Sequence, residues 1–230
     1  MTAVMQPYLF PYPGYYQLVA AVDEFVFYDD VQYIKGGYIN RNKLAHGSFT
    51  VPLTRGSSSD TIEQKLVDEK QYDRFRAKWY KSFRLNYGSA PFYDAALEVA
   101  TSVFDGPTKK ISDLAADSVS RVAEYLTLPV AFSKSSDREY DRSLQGQERL
   151  LALLAVLNTD SYVNAIGGRE LYDGKYFKEM GIQLSFLAPA PQDEPLASAF
   201  PYSILHLIAH HSPDKCRDYL RQNYKLLTDN

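Results

Sequence analysis

The chain has one cysteine, Cys216, one tryptophan and three methionines in 230 residues. A single thiol excludes an internal disulfide framework and any structural zinc site built on several cysteines. The apolar runs fall far short of the roughly 20 residues that a membrane span needs. Met1 opens no basic, then apolar, then small-residue leader. No membrane insertion and a cytoplasmic address are therefore expected. Neither sign of charge dominates: 25 basic against 28 acidic residues leave −3, too little to draw the whole surface to nucleic acid or an anionic membrane. Nucleic acid is not an expected partner. A Walker loop, a dinucleotide fingerprint, a kinase motif set and a Gly-x-Ser-x-Gly elbow are all missing.

Tyrosine is abundant, with 19 residues beside 12 phenylalanines. It supplies flat apolar surface with a polar tip, which suits a pocket for a sugar, nucleotide or peptide, and it also serves as half-buried packing. The length suits one domain, 1–230, with a helical insertion at about 60–128.

The apolar pattern alternates between strand and helix. Thr2–Gln6 is an expected strand that stops at Pro7, and Tyr15–Asp23 a helix opened by Gly14. Phe25–Tyr28 follows as a buried strand, so the start reads as a βαβ unit. Tyr38–Leu44 and Ser48–Leu53 read as a hairpin, and Thr54–Asp60 as a surface loop. Helices are expected at Gln71–Tyr87, Phe92–Phe104 and Ser112–Leu128, the first carrying a stripe of Tyr72, Phe75, Trp79 and Phe83. Strands at Pro129–Phe132, Ser161–Asn164 and Ile182–Phe186 then alternate with helices at Gln145–Asn158 and Asp173–Met180. A Pro-rich connection, Leu187–Ala197, leads to closing helices at Tyr202–His211 and Asp214–Leu226. The fold class is α/β: a mostly parallel sheet flanked by helices, with a helical insertion and a helical C-terminus.

Five polar constellations fall at the ends of these elements. Gln6, Tyr8, Phe10, Gly14 and Tyr15 occupy the first strand-to-helix turn, where ligands of open α/β sheets bind and a helix N-terminus favours an anion. Asp29 and Asp30, with Gln32 and Lys35, follow the next strand. Adjacent acids can hold a metal, orient an amine or act as a base, or simply cap a solvated turn, and strand geometry points them in opposite directions. Asn40 and Asn42 share one face of the hairpin strand and Arg41 and Lys43 the other; buried amides there need partners, which a ligand can supply. Ser143, Gln147 and Arg149 mark a helix N-terminus that either grips a polar ligand or is an ordinary cap. Gly167, Gly168, Arg169 and Tyr172 follow a later strand, where two glycines allow close backbone approach and Arg169 offers a fork for carboxylate or phosphate. His206 and His210 share a helix face, but no glutamate follows His206 and two histidines do not complete a zinc site. Cys216 has no fixed histidine partner and reads as packing. Neither metal nor cofactor is expected.

Several of these motifs resemble the WbqC-like protein family. The similar stretches are Met5-Gln-Pro-Tyr-x-Phe-Pro-Tyr-x-Gly-Tyr15, Phe27-Tyr-Asp-Asp-Val-Gln-Tyr-Ile-Lys35, Asn40-Arg-Asn-Lys43, Ser143-Leu-x-Gly-Gln-x-Arg149 and Asn164-x-Ile-Gly-Gly-Arg-Glu-Leu-Tyr-Asp173. The resemblance implies bacterial surface-polysaccharide (O-antigen, lipopolysaccharide) biosynthesis and an acyl or aminoacyl group, such as glycyl, moved onto an amino sugar or similar amine. On that reading Asp29 or Asp30 is the base, and Gln6, Asn40 or amides near Gly167 are oxyanion donors. Lys35 and Arg169 hold a phosphate or carboxylate. The expected partners are an amino sugar or nucleotide sugar and an acyl or aminoacyl carrier protein. The chain departs from the family at Ser203-Ile-Leu-His206, where the family tends to have Ser-Ile-Ile-Asp. Two alternatives stand beside the transferase: a nucleotidyltransferase-like enzyme binding a nucleoside triphosphate, and a non-catalytic binding or scaffold protein.

Overall fold

The computed structural model describes residues 1–106, 109–190, 199 and 201–228. Among them, Thr2–Met5 (β1), Glu24–Phe27 (β2), Ala131–Lys134 (β5), Ser161–Ala165 (β6), Gln183–Pro189 (β7) and Tyr224–Thr228 (β8) form one sheet, in the order β5-β2-β1-β6-β7-β8. All neighbours are parallel except β7 and β8. Arg41–Lys43 (β3) and Ser48–Thr50 (β4) make a separate antiparallel hairpin. The fold is α/β with a mostly parallel sheet flanked by helices.

Helices cover both faces. Pro13–Ala20 (α1), Ile111–Tyr125 (α4), Ile204–His210 (α7) and Pro213–Gln222 (α8) contribute Leu18, Leu114, Leu207 and Leu220 to a core that takes in Phe25 and Phe27 of β2. The opposite face buries Val4 and Val26 beneath Gly146–Val156 (α5) and Gly174–Glu179 (α6). Side chains one apart on β2 thus enter different cores, as the strand period demands. Strand order reverses at β1: β2 lies on one side and β6 on the other, so the crevice beyond the carboxyl ends of β1 and β6 is the topological switch point.

Three helices fall between β4 and β5: Glu69–Tyr87 (α2), Tyr93–Phe104 (α3) and α4. Asp68 caps α2 by accepting from the Lys70 amide. The aromatic stripe of α2 packs inward as its spacing predicts, with Trp79 and Phe83 buried and Tyr72 and Phe75 half-buried against the same core. Trp79 stacks on Phe83 at 4.7 Å and meets the edge of Phe104 at 4.8 Å, and Phe104 in turn meets Phe10 at 5.4 Å.

Two segments depart from the sequence reading. The expected closing helix ends at Gln222, and Tyr224–Thr228 pairs antiparallel with β7. The unsatisfied edge of β7 offers Leu226 and Leu227 a ladder of backbone bonds, which outweighs the helical continuation. β7 also runs on to Pro189, through the start of the expected Pro-rich connection; residues 191–197 of that connection lie outside the described residues.

The first strand-to-helix turn is filled by the protein itself. Phe10 is fully buried with a positive φ of 43°, and its N–H donates to Ser118 Oγ at 2.8 Å. The Asn42 amide donates to the carbonyls of Leu9 (3.0 Å) and Phe10 (2.6 Å), while its oxygen accepts from the Lys43 N–H. Such a bracket explains how a left-handed phenylalanine is held, since that conformation is costly outside glycine. Asn42→Ala should therefore leave carbonyls and an amide unsatisfied and lower stability by about 2 kcal/mol. In urea unfolding the midpoint should fall at unchanged slope, whereas Arg41→Ala on the exposed face should stay within about 0.5 kcal/mol of the parent.

Candidate functional site

Tyr28, Asp29 and Asp30 follow β2 directly, and both acids are almost fully buried, at 1% and 3% exposure. Their partners come from the segment that follows β5. Ser135 Oγ donates to Asp30 Oδ1 at 2.7 Å and approaches Asp29 at 3.3 Å. The Ser136 N–H and hydroxyl donate to Asp29 at 3.1 and 3.0 Å. Asp30 also accepts from Tyr140 Oη at 2.8 Å and Arg142 Nε at 2.7 Å, and Arg149 Nη2 lies 3.4 Å from its Oδ1. Arg149 further donates to the Asp30 carbonyl at 2.9 Å.

These environments separate the two acids. Burial raises the Asp29 carboxyl above its ordinary value, and the Ser136 hydrogen bonds only partly oppose it. Burial pushes Asp30 the same way, but Ser135, Arg142, Tyr140 and the Arg149 charge more than offset it and hold Asp30 below the usual carboxylate range. Asp30 is thus a fixed anion, and both acids are engaged by protein donors rather than open to a ligand. Both acids lie beyond the last residue of β2 and share the Ser135 hydroxyl, so they meet at one donor rather than facing apart.

On the Asp30 side a cavity of about 370 Å³ opens at the start of α5, lined by Tyr28, Val31, Leu144, Gly146, Gln147, Arg149, Leu171 and Tyr172 among others. The Arg149 guanidinium lies over the rings of Tyr28 (5.7 Å) and Tyr140 (5.8 Å). Its buried Nε has no hydrogen-bond partner. Gln145 caps α5 without a side-chain hydrogen bond, so the first-turn amides lack a side-chain acceptor. Ser143, the expected cap, instead bonds to Asp141 two residues before it. Gln147 accepts from the Asp173 N–H at 3.0 Å, which ties α5 to the start of α6. The rings of Tyr28 and Tyr140 flank the same Arg149 guanidinium, and the Tyr140 hydroxyl donates to Asp30, which sets two phenols beside the carboxylate at the cavity wall.

Asp30, Gln147, Arg149 and Tyr172 are therefore brought together. Gln6 is half-buried just after β1, and its carbonyl accepts from Tyr15 Oη. Gly167, Gly168 and Arg169 lie on a single 3-10 turn, Ile166–Leu171, beyond β6; a side chain at 168 would press within 3.0 Å of the Asn164 amide. Tyr8 packs on Tyr15 and Tyr38, half-buried.

Other expected ligand contacts belong to the fold. Phe10, Tyr15 and Asn42 are buried in the filled turn, and Gly14 is the second residue of α1. The Asn40 amide donates to the Val51 carbonyl and accepts from Tyr33 Oη, so it is not an open oxyanion donor. Gln32 donates to the Ser58 carbonyl, and Lys35 and Arg41 are exposed on loop and hairpin. Tyr140 and Arg142 were not legible as site residues, because nothing in their spacing ties them to an acid 110 residues earlier. Their position just before the Ser143–Arg149 motif is the one available signal.

Away from this site, His206 packs among Tyr87, Tyr202 and His210, whose ring lies 4.5 Å away. Burial, with the neighbouring His210 and His211, lowers its pKa from 6.5 to about 4. Among the described residues no three acidic, histidine or cysteine groups converge as metal ligands. Cys216 is buried and its thiol is pushed up to about 12 by desolvation, which suits packing rather than nucleophilic attack. Among the described residues no helix is long and apolar enough to cross a membrane.

Two stability predictions follow from these charges. Asp30→Asn should cost about 3 kcal/mol in urea unfolding at neutral pH, because two arginines lose a buried counter-ion. Asp30 binds its proton more weakly folded than unfolded, so its contribution is present above the unfolded value and disappears as pH falls through the folded one. His206 also binds its proton more weakly in the folded state. Its share of stability should accordingly fall as pH drops from 6.5 to about 4, and His206→Phe should flatten the stability-against-pH curve in that window.

The uncharacterized protein Rv1507c of Mycobacterium tuberculosis is 28% identical over 190 residues, 80% of each chain. No solved structure matches the chain. The WbqC-like family profile matches residues 6–218, from the end of β1 into α8, and the chain belongs to the WbqC-like protein family.

Proposed function

We propose that the cavity at the start of α5 binds an amino sugar carrying a phosphate or carboxylate, as in a nucleotide sugar. The protein then transfers an acyl or aminoacyl group to that sugar's amine in bacterial surface-polysaccharide synthesis, the donor being a carrier's thioester or ester whose thiol or hydroxyl leaves with the proton that the amine gives up. The observation that carries this reading is the hydrogen bond from Tyr140 to the buried Asp30, with the Tyr28 ring beside Tyr140 on the Arg149 guanidinium at the cavity wall. Tyr140 donates to Asp30, which leaves its oxygen to accept from the Tyr28 hydroxyl in the bound state, so that Tyr28 presents only lone pairs to the substrate. A hydroxyl in that state accepts from an amine N–H and orients the nitrogen for attack on a carbonyl. The two arginines keep Asp30 charged, so this relay polarises Tyr28 rather than storing the proton.

The remaining wall suits the rest of such a substrate. Arg149 and the uncapped α5 amides favour an anionic group. The rings of Tyr28 and Tyr172 supply flat apolar surface for a sugar face. The doubly wound strand order supports a second reading, nucleotidyl transfer, because mononucleotides bind at such switch points. The filled turn before α1 opposes it, since Phe10 and Asn42 occupy the place of a triphosphate loop.

Thermal shift with UDP-glucosamine and UDP-glucose separates these readings. UDP-glucosamine should raise the melting temperature more than UDP-glucose, and Tyr28→Phe should remove the difference. Arg149→Lys should weaken both sugars by about tenfold, through loss of the planar fork. Equal shifts with both sugars would remove the amine acceptor, and a shift with ATP or CTP alone, with pyrophosphate released, would favour nucleotidyl transfer.

A further inference from the structure

A second cavity lies on the other face of the sheet, beside the core that holds Phe27, Val103 and Leu114. It encloses about 560 Å³ between β5, α4 and the end of α3. Its floor is apolar: Phe27 and Phe132 stack at 5.4 Å with an interplanar angle of 8°, beside Val103 and Leu114. Its walls are charged. Asp113, Asp117 and Arg121 recur at i, i+4 and i+8 on α4 and so share one helix face. β5 contributes Lys134, and the turn after it Asp137.

The charges do not balance. Lys134 is engaged by Asp113. Arg121 is shared, 3.4 Å from Asp117 and 3.2 Å from Glu124. Three carboxylates therefore face two cations in the lining, and Asp117 has only part of an arginine. An anion would meet net repulsion here. The carboxylates do not converge as metal ligands among the described residues. A cation attached to an apolar body satisfies both the walls and the floor.

We infer that this cavity is a second ligand site, for an organic ammonium whose charge meets Asp117 and whose apolar portion lies on Phe132 and Phe27. Desolvation raises the Asp117 carboxyl despite Arg121, and a bound ammonium would relieve that burial penalty. The inference does not depend on the sugar-binding cavity, which lies across the sheet.

Phenethylamine and its neutral analogue 2-phenylethanol test it on the full chain by calorimetry, with amide shifts followed by NMR. Phenethylamine should bind saturably and move the amides of Ser120 and Ser133, with the alcohol at least about tenfold weaker. Asp117→Asn should weaken the amine by about tenfold and leave the alcohol unchanged. Ser120→Phe, which fills the cavity from α4, should abolish binding of both; it serves as the second variant, and a melting curve shows that each is folded. Equal binding of amine and alcohol, an unchanged amine affinity in Asp117→Asn, no saturable binding, or shifts centred on Gln147 and Tyr172 would each overturn the inference.

Discussion

Burial of two adjacent carboxylates at one strand end is the constraint on which the rest of this structure depends. Asp29 and Asp30 carry charge into a place where an unpaired anion is prohibitively costly. Every side-chain donor that compensates them comes from Ser135 to Arg149. The acids therefore act as a clasp between β2 and a segment more than a hundred residues later. The clasp sets where β5 ends, how the chain turns after it, and where α5 begins. Since α5 brings Gly146, Gln147 and Arg149 to the first cavity, that cavity is a product of the acid pair even though neither acid opens into it.

The clasp has two ends. Asp30 collects the arginines and Tyr140 beneath α5, while Asp29 holds the segment that follows β5 through Ser136, and the Ser135 hydroxyl joins the two acids. The two cavities owe their different charge to separate residues: Arg149 with the rings of Tyr28 and Tyr172 lines one, whereas Asp113, Asp117 and Asp137 outnumber Arg121 and Lys134 in the other.

Much of the architecture could be read from periodicity. The α2 stripe, the early βαβ unit and the later alternation of strands and helices follow directly from where apolar residues recur. Tyr224–Thr228 did not, because a short apolar stretch after an amphipathic helix looks like its continuation until a partner strand is known. The candidate site was legible only in part. Gln147, Arg149 and Tyr172 stood out as polar or aromatic residues at element ends, and they do line a cavity. Phe10, Asn40 and Asn42 stood out for the same reason, yet they satisfy the backbone of a strained turn and a hairpin. From sequence, a buried amide that bonds a ligand and one that bonds a carbonyl look alike. Tyr140 and Arg142 acquire meaning only when the chain folds back on Asp30.

The single tryptophan has an optical consequence. Trp79 is buried between Phe83, Phe104 and Phe49, in the layer formed by α2, α3 and the hairpin, away from the parallel sheet. Intrinsic emission excited at the red edge, where tyrosine does not absorb, therefore reports on that layer alone. The tyrosines are spread through the sheet, the cavity and the termini, so their emission and their energy transfer to Trp79 sample the whole molecule. Comparing the two signals during unfolding distinguishes loosening of the helical layer from collapse of the sheet, with no label attached.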